Sequence, residues 1–212
     1  MDSGNIYEYN IQSEKKDAIT ADYRNANYNI ISVNFPEANI KVKVTQKYTL
    51  GKGGIFWDGS YFLTKYILNN ILPNEPQIKN VLELGAGTAL PSLVCLCKGL
   101  NVVTTDTKKF LDFMNNIFEI NKENFDKNSK YKIEALDWTV EDDIKRIKEY
   151  NQNYDLIIGS ELIYLDDEFD DLIKVLLEFS DKNTIIMFSF KIRLPEMVAD
   201  FFERLEKHFT VE

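Results

Sequence analysis

Residues 81–90 read Val-Leu-Glu-Leu-Gly-Ala-Gly-Thr-Ala-Leu, and Pro91 follows. An apolar run of strand length breaks into closely spaced glycines. It resumes as helical sequence with proline at a favourable first-turn position. Glycines allow a tight turn and let backbone N–H groups approach a ligand closely at a helix start. Asp106 closes the next apolar run, Val102–Thr105, 21 residues after Gly85. A carboxylate there can accept from two ribose hydroxyls at once. Taken alone the segment also reads as a purely structural turn. With its acid it points to an open α/β sheet that holds a nucleoside-containing ligand beyond the carboxyl ends of its strands.

The rest of the chain supports that architecture. Tyr131, Ile133 and Ala135 alternate as a strand that ends in Leu136-Asp137-Trp138, and Tyr154–Ile158 and Thr184–Phe190 are apolar strands. Helical spacing links Phe110, Met114, Ile117 and Asn121, then Phe169, Leu172, Ile173, Leu176 and Leu177, then Val198, Phe201, Phe202 and Leu205. Alternation of near-continuous apolar strands with helices predicts a mostly parallel sheet covered on both faces. Residues 28–35 read as a strand, and Ile40, Val42 and Val44 alternate with Lys41, Lys43 and Thr45, which predicts an N-terminal β-hairpin within 28–50. Residues 1–27 are polar and mixed, a tail or a short packed segment, and 28–212 are expected to be one domain. Gly51, Gly53 and Gly54 mark a loop. From Trp57 to Leu68 the chain is apolar nearly all round at helical spacing, which predicts a buried helix.

Charge narrows the partners. There are 34 acidic and 25 basic residues, a net charge of −9. Proteins that grip nucleic acid through its phosphates, or membranes through polybasic segments, carry the opposite balance. No stretch approaches the apolar length of a membrane span, and the polar start Met1-Asp2-Ser3-Gly4 lacks a signal core and a myristoylation glycine. Cys95 and Cys97 are the only cysteines and His208 the only histidine, too few for a Cys/His zinc site. On a helix the two thiols point apart, so no disulfide is expected. The expectation is a cytoplasmic chain, with the nucleus as the alternative.

The glycine turn and its acid suit nicotinamide dinucleotides and S-adenosylmethionine alike. Two residues separate them. The third small position of the dinucleotide pattern is Leu90, too bulky for close helix packing around a pyrophosphate. Glu83 precedes the turn, where it would repel a pyrophosphate but suit the amino group of S-adenosylmethionine. Asp137 and Trp138 could take an adenine by its amino group and its face; Trp138 alone reads equally as a core tryptophan. Ser160, Glu161 and Tyr164 follow the strand Tyr154–Ile158. A helical turn there would place Glu161 and Tyr164 on one face, able to hold an amine. Glu161 alone also reads as an acid at a helix start. Trp57, in Phe56-Trp57-Asp58-Gly59-Ser60, is either a core aromatic or a cofactor wall.

From about Ile40 to Val211 the chain resembles the family-16 lysine methyltransferases, the seven-strand, class I group that modifies Hsp70-type and other chaperones and elongation factor 1A. The residues that carry the likeness are Trp57-Asp58, Glu83-Leu84-Gly85-Ala86-Gly87-Thr88, Asp106, Trp138, Tyr154 to Gly159, Ile163-Tyr164-Leu165, Ile192-Arg193 and Leu205 to Val211. The resemblance implies a Rossmann-like fold and S-adenosylmethionine as cofactor, with S-adenosylhomocysteine as product. It implies that Trp57, Gly85, Ala86, Gly87, Asp106, Trp138 and Ser160 line the cofactor site. The family's Asp-x-x-Tyr motif would fall on Glu161 and Tyr164, as the catalytic pair at the target lysine. Glu161 stands where Asp is usual and Ser160 where Ala is usual. The family's last strand is expected to be missing here. The implied partner is a protein, an Hsp70-type chaperone or a translation factor, met by a monomer without metal. A small-molecule methyltransferase and a non-catalytic chaperone-binding module are the alternatives.

Overall fold

The computed structural model describes residues 6–9, 29–164 and 166–212. Most of 1–27, with Tyr28 and Leu165, lies outside the described residues. Five strands form one wholly parallel sheet: β4 (Asn80–Leu84), β5 (Asn101–Asp106), β6 (Tyr131–Ala135), β7 (Leu156–Ser160) and β8 (Ile185–Ser189), in the order β6-β5-β4-β7-β8. The chain crosses from one side of β4 to the other between β6 and β7. The crevice at β4 and β7 is therefore the switch point at which such sheets bind ligands.

Helices cover both faces. On one lie α1 (Asp58–Tyr66), α2 (Leu90–Cys97) and α3 (Leu111–Asn121), packed on Val81, Val102, Leu156 and Ile158. On the other lie α4 (Glu141–Lys148), α5 (Phe169–Phe179) and α6 (Pro195–Leu205), packed on Leu82, Leu84, Val103 and Ile157. The two sets of strand residues alternate, which is why runs apolar at every position suit this sheet. Cys95 and Cys97 lie in the last turn of α2 as free thiols.

The predicted hairpin is β2 (Ile30–Phe35) with β3 (Ile40–Thr45), antiparallel from Ile30↔Thr45 to Phe35↔Ile40. A short strand β1 (Ile6–Tyr9) adds to β2 in parallel and makes a three-stranded sheet. Asn121, buried at the end of α3, docks this sheet. Its carboxamide accepts from the Lys43 amide (2.8 Å) and donates to the Lys43 carbonyl (2.6 Å).

Two expectations change. Trp57 precedes α1 in extended conformation and is not part of it. The helix is also not buried all round: Phe62 and Tyr66, four residues apart, are 53% and 52% exposed. They face away from α2, β7 and β8, against which α1 packs. Residues 206–212 form no strand, and among the described residues β8 is an edge of the sheet.

Candidate active site

The glycine turn after β4 is built as its sequence requires. Gly85 and Gly87 have φ of +55° and +51°, the left-handed region that glycine enters without steric cost. Both also need the space. A Cβ on Gly85 would lie 2.5 Å from the Leu162 side chain, and one on Gly87 would lie 2.6 Å from the Gly53 carbonyl oxygen. The loop at 51–54 thus rests directly on the turn.

Asp106, at the end of β5, is tied to that turn. One carboxylate oxygen accepts from the Gly87 amide (2.8 Å) and the other from the Thr107 amide (2.7 Å). Burial raises its pKa above the ordinary range against the pull of these hydrogen bonds and of Lys109. After β6, Asp137 accepts from the Thr139 amide and hydroxyl, and Trp138 lies beside Gly85. After β7 comes Glu161, a non-glycine residue with φ of +58°. Its amide donates to the Ser189 carbonyl (2.7 Å), which continues the β7–β8 ladder, and its carboxylate packs over Gly59 in the first turn of α1. Left-handed backbone at a polar residue is strain that a surrounding structure must hold in place, and it gathers at functional sites.

These segments enclose one cavity of about 550 Å³. Of the predicted site residues, Trp57, Gly85, Ala86, Gly87, Asp106, Asp137, Trp138, Ser160, Glu161 and Tyr164 all line it. The helical turn expected for Glu161 and Tyr164 does not form. They share the cavity because the chain turns sharply after the left-handed Glu161.

Glu83 is the exception. It is fully buried and does not line the cavity. On β4 it alternates with Leu82 and Leu84, so it faces α2. There one carboxyl oxygen accepts from the amide (3.0 Å) and hydroxyl of Ser92, and that hydroxyl accepts from Thr104. Ala89, at the start of α2, has no side chain to cap the helix, and Glu83 does so from the sheet. Burial pushes its pKa up to about 8. Glu83 thus holds the start of α2 from the sheet, and it stands outside the cavity lining in which a ligand role was expected for it.

Sequence reasoning missed other contributors. Lys52 and Gly53 line the cavity from the glycine-marked loop, Glu168 from the start of α5, and Arg193 from the loop after β8. The only signal for Arg193 was its place in the Ile192-Arg193 run. Cationic side chains sit on both members of the Glu161–Tyr164 pair. Arg193 contacts Glu161 at 2.6 Å and stands over the Trp57 ring at 5.6 Å, and the Lys52 ammonium stands 5.0 Å over the Tyr164 ring.

A parallel sheet with a glycine turn after its central strand, an acid ending the next strand, and a carboxylate and a phenol across the crevice fits a methyltransferase of the Rossmann-like class. A sequence model of lysine methyltransferases matches residues 36–208. Protein N-lysine methyltransferase METTL21A of Xenopus tropicalis is 31% identical over 183 residues, 85% of this chain and 79% of its own length. EEF1A lysine methyltransferase 3 of the same organism is 29% identical, over 81% of this chain and 74% of its own. Methyltransferase-like protein 23 of Dictyostelium discoideum is 30% identical, over 76% and 69%. The chain belongs to the lysine methyltransferase family, and it is a protein-lysine methyltransferase.

Proposed function

We propose that the cavity binds S-adenosylmethionine and passes its methyl group to a lysine of a protein client, an Hsp70-type chaperone or a translation factor such as elongation factor 1A. The observation that carries this reading is the meeting of the Gly85–Gly87 turn, Asp106, Trp138 and Glu161 on one cavity. The residues present fit the cofactor. A glycine cradle that any Cβ would fill leaves room for close backbone contact. Asp106 can take ribose hydroxyls with its remaining lone pairs, and Asp137 and Trp138 offer an amino acceptor and a ring to adenine. The size suits a ligand of this class. The translation factor enters through one relative's printed name, and the chaperone through the resemblance described above.

Bound S-adenosylmethionine supplies an activated methyl on sulfur, so that an N–C bond forms as the C–S bond breaks and its electrons return to sulfur. The chain's own residues must bring a neutral amine into line and keep water out. Freeing a lysine of its proton near neutral pH costs about 4 kcal/mol. A carboxylate opposes this step because it stabilises the ammonium. Glu161 therefore captures and aims the lysine, Tyr164 walls the channel by ring and hydroxyl contacts, and the proton leaves to solvent. Trp57 and Ser160 complete the cofactor wall. We also propose that residues 28–212 act as one domain, as a monomer, in the cytoplasm or nucleus.

The test is transfer of labelled methyl from S-adenosylmethionine into a cell extract by wild type and Glu161→Ala. The expected result is a discrete labelled protein with wild type and at least a hundredfold less label with the variant, while cofactor affinity stays within threefold. Equal labelling by the two would remove Glu161 from the site. Label confined to small molecules would favour a metabolite as acceptor.

A further inference from the structure

The Glu161 carboxylate is held between two elements. Below it is Gly59, where a Cβ would lie 2.7 Å from one carboxylate oxygen. Above it is the loop after β8, where the other oxygen accepts from Arg193 at 2.6 Å and more distantly from the Lys191 amide at 3.4 Å. The Glu161 side chain is 14% exposed and that of Arg193 42%. Arg193 also stands on Trp57, so its guanidinium touches both the proposed lysine anchor and the proposed cofactor wall.

The charges around this pair decide what Arg193 does. The cavity is lined by Asp106, Asp137, Glu161 and Glu168, against Lys52, Lys109 and Arg193. Asp58 begins α1 beside Gly59, Lys191 flanks the pair on the β8 side, and the Tyr164 hydroxyl titrates above its ordinary value through burial and the nearby Glu168 and Asp106. With Arg193 the lining is four acids against three bases; without it, four against two. An acceptor lysine entering a site with that excess would be held as its ammonium, the form that cannot react.

We propose that Arg193 is a positioning residue that keeps Glu161 paired, so that the site aims the acceptor lysine without fixing its proton. The inference rests on the lysine-transfer reading above. Glu161 then acts as half of a neutral pair that offers directed hydrogen-bond acceptors, and Arg193 supplies the compensating charge at fixed distance. Arginine suits this because it stays charged at any working pH and its planar fork can bond Glu161 while it lies on an aromatic ring.

The experiment compares wild type, Arg193→Gln and Arg193→Lys at pH 7 and, in a brief assay, at about pH 11, above the ordinary lysine pKa. It uses labelled methyl transfer at saturating S-adenosylmethionine into whole-extract protein. Glutamine keeps a donor for Glu161 and removes the charge; lysine keeps the charge. Loss of one nearby positive charge raises the pH at which the bound lysine turns neutral by about one unit, hence about tenfold in the reactive fraction at pH 7. The Gln variant should transfer about tenfold less than wild type at pH 7 and come within about threefold at pH 11, where the acceptor lysine is largely neutral in both, and the Lys variant should keep at least a third of wild-type transfer at both. A Gln variant that loses the same factor at both pH values would show a merely structural residue and overturn the proposal. One that transfers faster than wild type at both would show Arg193 to be a plug on the lysine site, which overturns it equally. Absence of protein labelling by wild type itself would instead sink the lysine-transfer reading, and this inference with it.

Discussion

The stability of Glu83→Gln relative to wild type should rise as pH rises. In the folded chain burial lifts the Glu83 carboxyl from an ordinary 4.5 to about 8. Unfolded, it titrates near 4.5. Between these values the folded state holds a proton that the unfolded state has released. Its contribution is fully present below about pH 4.5, falls by about 1.4 kcal/mol per pH unit, and is lost as pH passes 8. The total is about 5 kcal/mol, an order-of-magnitude figure. Glutamine keeps the shape and an acceptor for Ser92, and it does not titrate. The stability difference between variant and wild type, from urea unfolding, should therefore widen by about 2.5 kcal/mol from pH 6 to pH 8.5. Subtracting wild type cancels the pH dependence of all other groups that titrate alike in both. Because Glu83 caps α2 and does not touch the cavity, the variant's affinity for S-adenosylmethionine should stay within about threefold. A difference that does not vary with pH would refute the buried neutral carboxyl. A loss of affinity of tenfold or more would return Glu83 to the ligand.

Other substitutions test other joints. Asp106→Ala removes both the proposed ribose acceptor and the anchor of the Gly87 amide, and should weaken S-adenosylmethionine binding at least tenfold by calorimetry; unchanged affinity would refute the role. Gly87→Ala places a Cβ at positive φ and against the Gly53 carbonyl, so about 1–2 kcal/mol of backbone strain is added to the clash. Cofactor affinity should fall at least tenfold, and a variant that binds as wild type would show the turn to be slack. Asn121→Ala strips the Lys43 amide and carbonyl of partners. It should cost about 2–3 kcal/mol in urea unfolding, and a cost below about 0.5 would mean that the small sheet docks by other contacts.

The parallel sheet was legible because its signals are local. Apolar runs at Val81–Leu84 and Leu156–Ile158 need no knowledge of partners to read as buried strands, and glycines at Gly85 and Gly87 mark a turn that only they can make. The cavity wall was legible for the same reason, since the topology fixes where strand ends lie. Side chains whose direction depends on neighbours were less so. Glu83 was assigned to the ligand from its place in the motif, yet its parity with Leu82 and Leu84 turns it to α2. The exposure of Phe62 and Tyr66 depends on how much of α1 its neighbours cover, which no periodicity reveals. Arg193 reaches Glu161 across 32 positions of chain, through a loop with no pattern of its own.

The most direct measurement is to label the acceptor protein from S-adenosylmethionine bearing a deuterated methyl group and locate the label by mass spectrometry. The account predicts deuterated methyl on a lysine side-chain nitrogen, present with wild type and absent with Glu161→Ala. Label on an arginine, a cysteine or a carboxylate would contradict it.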